Sequence, residues 1–187
     1  MNDTIRFTAA ESDAAFDEWT FNCGPGALCA VLDMTPAEIR PHMGDFERKG
    51  YTNPTLMFEV LTRLGVRHRQ DYRSDDPNAR GFKCDTPYPL KSNCSLMRVQ
   101  WGGPWTKPGV PMQARYRATH WVGVRNEGRE IFDINGVYEP DAQTSRYADG
   151  WMPLEIWTKY LIPWLLKECQ PKADGTWWPT HGIEICR

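Results

Sequence analysis

The sequence predicts an α+β fold in which N-terminal helices pack on a mostly antiparallel sheet, and three observations carry that expectation. Helix-start signals crowd the first third of the chain, from Asn22-Cys23 to Asn53-Pro54. Segments with strand-like alternation follow beyond Leu96. The clearest of them form a hairpin, so neighbouring strands are joined by a turn rather than by a helical crossover.

The first element is a buried helix beginning at Cys23. The run Cys23 to Asp33 opens with glycine and proline and then turns apolar, and proline is tolerated in a first helical turn, where an N–H would have no partner anyway. A short second helix starts at Thr35-Pro36-Ala37-Glu38, which has the form of a capping box. Asn53-Pro54 starts a third, with Leu56, Val60, Leu61 and Leu64 at helical spacing before Gly65, a natural stop. Residues 71–94 are polar and rich in Asp, Pro and Asn, and read as a loop or insertion.

Strand character resumes at Leu96–Trp101. The hairpin pairs His120–Val124 with Glu130–Ile134 through Asn126-Glu127-Gly128. A tryptophan-rich helical stretch over 153–168 is interrupted by Pro163, and a last strand, Ile183–Cys186, closes the sheet.

The length of 187 residues suits a single domain, 1–187, and 41% hydrophobic with 12% aromatic residues can bury enough apolar surface to fold. The net charge of -2, from 22 basic and 24 acidic residues with no like-charge block, argues against nucleic acid as a partner. Met1 to Phe16 lacks the basic start and apolar core of a secretory signal, and no stretch is long and apolar enough for a membrane span. The expected setting is therefore cytoplasmic, with the six cysteines reduced. Cys84 and Cys94, which bracket the polar loop, are the first pair to check for a disulfide. No C-x-x-C pair or zinc-like His/Cys spacing occurs, so neither a metal nor another cofactor is expected. Oligomeric state is not legible at this stage.

Cys23 stands where helix dipoles and unpaired N–H groups lower a thiol pKa, and its own backbone N–H can serve as an oxyanion donor. Position alone leaves it equally open that Cys23 is a small buried hydrophobe; Cys29, inside the same helix, reads as core. A base must come from distant sequence. His42 and His68 read as surface residues. His120 opens an apolar strand whose hairpin partner carries Asp133 and Asn135 on one face, either able to hold the imidazole by its second nitrogen. His181 is the reserve candidate.

Asn22-Cys23-Gly24-Pro25-Gly26-Ala27-Leu28 resembles the opening of the peptidase domains that cut double-glycine leaders from bacteriocins, within the papain-like cysteine-peptidase superfamily. The likeness continues through the threonine-capped helix, the Thr-Asn-Pro helix and the His120-Trp121-Val122 strand, and covers residues 17–138. It implies a papain-like fold and a cysteine-dependent hydrolase acting on a peptide or protein substrate, with Cys23 as nucleophile, His120 as base, and Asp133 or Asn135 as the orienting group. An isopeptide, amide or thioester substrate is equally open.

The family has a glutamine six residues before the cysteine, whose amide completes the oxyanion hole; this chain has Asp17 there. A carboxylate would repel an oxyanion, so either another donor such as the Trp19 indole substitutes, or the domain is a catalytically inactive module that holds a protein or peptide partner. Tryptophan loops at 101–105 and 177–179 would suit the latter. A purely structural accessory role is a third possibility.

Overall fold

The computed structural model describes residues 4–73, 94–111, 114, 118–138, 147 and 149–186. Six strands form one sheet in the order β1-β6-β2-β3-β4-β5, with every neighbouring pair antiparallel. They are β1 His68–Arg73, β2 Cys94–Trp101, β3 Thr119–Arg125, β4 Glu130–Phe132, β5 Trp151–Pro153 and β6 Trp177–Ile185. The fold class is thus α+β, as the sequence predicts.

Five helices precede the sheet. The first, α1 (Ala9–Trp19), is set by a capping box in which Thr8 accepts from the Glu11 backbone and Glu11 returns to the Thr8 N–H. It ends on Thr20 in the left-handed region, with φ 60°. Helix α2 (Cys23–Leu32) is capped by Asn22, whose Oδ1 accepts from Gly24 N at 3.2 Å. Helix α3 (Pro36–Ile39) carries the reciprocal Thr35–Glu38 box expected from sequence. After the single turn α4 (Phe46–Lys49), α5 (Pro54–Arg63) is capped by Asn53 at 2.8 Å to Leu56 N, and Gly65 turns the chain with φ 67°.

Both faces of the sheet are covered. Leu96, Trp121, Phe132, Ile183 and Ile185 face the N-terminal helices. The alternate positions Met97, Val99, Val122, Val124 and Ile131 face a C-terminal helical segment made of α7 (Leu154–Ile156), a π-helical stretch (Trp157–Leu161) and α8 (Ile162–Glu168). This two-sided cover buries every residue of β2. At Gly123 α2 lies so close to the sheet that an added Cβ would stand 2.8 Å from Val31 Cγ2.

Three sequence expectations are corrected. Residues 71–73 and 94, read as loop, belong to β1 and β2, because their backbones find partners on β6 and β3; the remaining 74–93, with Cys84, lie outside the described residues. Pro163 does not end the last helical segment: it falls where the π-helical stretch gives way to α8, and the helix runs on through it. The final strand begins at Trp177 rather than Ile183, and it runs between β1 and β2 instead of closing an edge. The hairpin stands as expected through β3 and β4, with Asn126, Glu127 and Gly128 all at positive φ, but β4 stops at Phe132. Asp133 therefore follows the strand, and Asn135 opens a single helical turn, α6 (Asn135–Tyr138).

Candidate active site

Helix α2 fixes Cys23 by exhausting its own N-terminal donors. Gly24 N bonds the Asn22 side chain, Pro25 has no N–H, and Gly26 N bonds Asn22 O at 2.9 Å. Among the described residues the Cys23 N–H has no partner, so one backbone donor is left beside the thiol at the positive end of the helix.

His120 reaches the same place from the start of β3. It lies on the sheet face of Val122 and Val124, and the Trp101 ring stacks on it at a centroid distance of 6.1 Å. Its Nε2 meets Asp133 Oδ2 at 2.9 Å, which leaves Nδ1 for the thiol. Asp133 is fully buried, and three further donors fix its carboxylate: Trp157 Nε1 at 2.8 Å on Oδ2, Asn135 N at 3.0 Å and Asn135 Nδ2 at 2.9 Å on Oδ1. Asp133 is thus the group that touches the imidazole. Asn135 instead orients the carboxylate, because the end of β4 takes it off the strand face where the sequence put it.

The charges of the three groups support one another. Burial pushes the Cys23 thiol up, but the charge and hydrogen bond of His120, with the Trp121 backbone N–H, bring it below an ordinary thiol against an opposing push from Asp133. Burial opposes the imidazolium, yet Asp133 and Cys23 raise His120 well above the ordinary histidine value. Burial also works against the Asp133 carboxylate, and the His120 charge together with the Trp157 and Asn135 donors holds it low. Cys29 is the contrast: burial, helped by the Glu38 charge, drives that thiol well above its ordinary value. This is the arrangement that lets a thiolate and an imidazolium coexist.

Cys23, His120 and Asn135 line a cleft of about 400 Å³ together with Phe21, Trp101 and Leu165, while Asp133 is not among its lining residues. Neither Asp17 nor Trp19 lines it. Asp17 is exposed on α1, and Trp19 is buried edge-on against Phe21 and Phe46, with the Arg40 guanidinium over its ring. Helix α1, which ends on the left-handed Thr20, presents Ser12, Asp13 and Phe16 to the cleft instead. The structure thus places Asp17 and Trp19 outside the cleft, and the carboxylate that lines it is Asp13. His181 stands inside β6 on the face of Ile183 and Ile185, and it is not among the lining residues.

Sequence reasoning missed Trp157 and the whole of α1. The Thr8-x-x-Glu11 box could have revealed α1, whereas nothing in the spacing of nine tryptophans points Trp157 at Asp133. Cys23, Cys29, Cys169 and Cys186 are free thiols, and the Cys94 thiol donates to Val31 O at 3.6 Å. Among the described residues no group of three metal-ligating side chains occurs, and no helix is long and apolar enough to cross a membrane. Compared with known proteins, the chain matches no family model, no curated protein and no solved structure.

Proposed function

We propose that this chain is a cysteine-dependent hydrolase of papain-like type, acting on a peptide, isopeptide or amide bond. The observation that carries the reading is the buried His120–Asp133 pair at 2.9 Å beside a thiol whose pKa is lowered by that imidazole. Cys23 attacks the carbonyl carbon as thiolate, and the carbonyl electrons move onto an oxygen that the Cys23 N–H can stabilise. As the tetrahedral adduct collapses, the His120 imidazolium gives its proton to the leaving amine. Water then loses a proton to His120, attacks the thioester and releases the thiolate. Asp133 keeps the ring oriented and its charge balanced throughout.

Alkylation with iodoacetamide at pH 6, followed by peptide mapping, tests this. Cys23 is expected to react before the other five thiols, and Cys23→Ala to abolish hydrolysis while leaving the fold intact. Equal labelling of all six thiols would sink the reading.

A further inference from the structure

The cleft around Cys23 is wider and greasier than cleavage after two glycines calls for. Its volume of about 400 Å³ lies within the range that encloses an entire small ligand. Phe21, Trp101, Ile134 and Leu165 form walls that are almost wholly buried, so the surrounding core holds them in place and they cannot fold away to narrow it.

The mouth repeats the pattern. Three large hydrophobic side chains are exposed among the described residues, and two of them, Phe16 at 55% and Tyr138 at 39%, line this cleft. Exposed apolar groups gathered at one opening mark a recognition surface, whereas scattered ones do not. The third, Tyr51, lies elsewhere. Among the described lining residues no lysine or arginine occurs, and Asp13 at the rim adds negative charge. The imidazolium of His120 is already matched by Asp133 and the Cys23 thiolate, so an anionic group entering here would lose water without finding an uncommitted cation.

Resting on Cys23 as the nucleophile, we propose that the cleft selects substrates carrying a bulky apolar or aromatic group next to the scissile carbonyl, and rejects those with an anionic group there. Two glycines would leave the apolar walls facing water, whereas a long or aromatic acyl portion would cover them.

The test uses 4-nitrophenyl acetate, hexanoate, 3-phenylpropanoate and hemisuccinate. Each transfers its acyl group to Cys23 Sγ and releases 4-nitrophenolate, and each rate is divided by that of the same ester with free cysteine. Burial is worth about fourfold per methylene, so hexanoate and 3-phenylpropanoate are expected at least tenfold ahead of acetate, with hemisuccinate behind hexanoate. Phe16→Ala should lower the hexanoate-to-acetate ratio several-fold, and Tyr51→Ala should not move it. A corrected rate that is highest for acetate, or equal for hemisuccinate and hexanoate, overturns the proposal while selective iodoacetamide labelling keeps Cys23 as nucleophile. Should that labelling fail, methyl NMR titration with unreactive 3-phenylpropanamide against acetamide still decides: shifts at Ile134 and Leu165 with the first amide alone uphold the apolar pocket, and their absence overturns it.

Discussion

Replacing Asp133 with asparagine keeps the shape of the side chain and removes its charge, which makes it the sharpest probe of the site. In the native chain the carboxylate accepts on both oxygens, from His120 and Trp157 on Oδ2 and from two Asn135 groups on Oδ1. An amide offers NH2 at one of the two positions, so either orientation turns a pair of donors against it. Two lost hydrogen bonds to a charged group, at ~1.5–3 kcal/mol each, amount to roughly 3–6 kcal/mol of local destabilisation. Placed on the Oδ2 side, the amide also forces His120 into the tautomer that cannot accept a proton from Cys23. With the imidazolium gone, burial is left to push the thiol above its ordinary value, and even at the ordinary pKa of ~8.5 only about 0.3% of it would be ionised at pH 6. The assay is the iodoacetamide rate of Cys23 at pH 6 and pH 9, with the exposed Cys169 as internal reference and circular dichroism confirming the fold. At pH 6 the Cys23 rate is expected to fall by at least about two orders of magnitude toward that of Cys169, and at pH 9 to climb again as the thiol begins to ionise. A folded variant whose Cys23 still outpaces Cys169 at pH 6 would refute the argument that Asp133 sustains the ion pair.

The pKa directions give a further expectation for pH. His120 is raised, so its contribution to stability is complete below the ordinary imidazole value of 6.5 and is lost as pH rises through the folded value. Asp133 is lowered, so its contribution is complete above the ordinary 3.8 and is lost as pH falls through the folded value. Urea midpoints should therefore be highest between these limits and flatten with pH in Asp133→Asn. Gly24→Ala would bring a methyl to 2.7 Å from Thr52 Cβ, and Thr52 is buried with its carbonyl accepting from Trp121 Nε1 at 3.2 Å. A loss of about 1–3 kcal/mol is expected on chemical unfolding, partly restored by adding Thr52→Ala; no rescue would mean the strain lies elsewhere. Trp157→Phe removes one donor from the Asp133 carboxylate and should cost roughly 1.5–3 kcal/mol by the same measurement, and a negligible change would show that the indole N–H does not support the carboxylate.

Legibility in the sequence followed the range of the interactions. The Thr35 box, the Asn53 cap and the left-handed turn after β3 depend on residues within a few positions of one another, and all were readable. Asp133 and Asn135 could not be separated, because the choice turned on where β4 ends, and that is set by the pairing of Phe132 with Trp151 and of Asp133 N with Gly150 O. The oxyanion assignment was carried to Asp17 from the resembled family's glutamine six residues before the cysteine. In the structure α1 ends on the left-handed Thr20, and Ser12, Asp13 and Phe16 face the cleft while Asp17 does not. The position of β6 was hidden for a related reason, since Trp177 to Thr180 show strand behaviour only in the company of β2.

That position of β6 sets the order in which the molecule can assemble. Strands β2 to β5 form a run of neighbours joined in sequence, but His68 pairs with Ile185, so β1 joins the sheet only through a strand more than a hundred residues away. Closing so long a stretch is entropically slow. Until it closes, one rim of β2 offers its unpaired amides along a strand whose every residue is destined for the interior. A chain cut before Trp177 would keep that rim for good, as a template for self-association. Soluble production is thus expected to hinge on the last strand, although none of its residues lines the cleft.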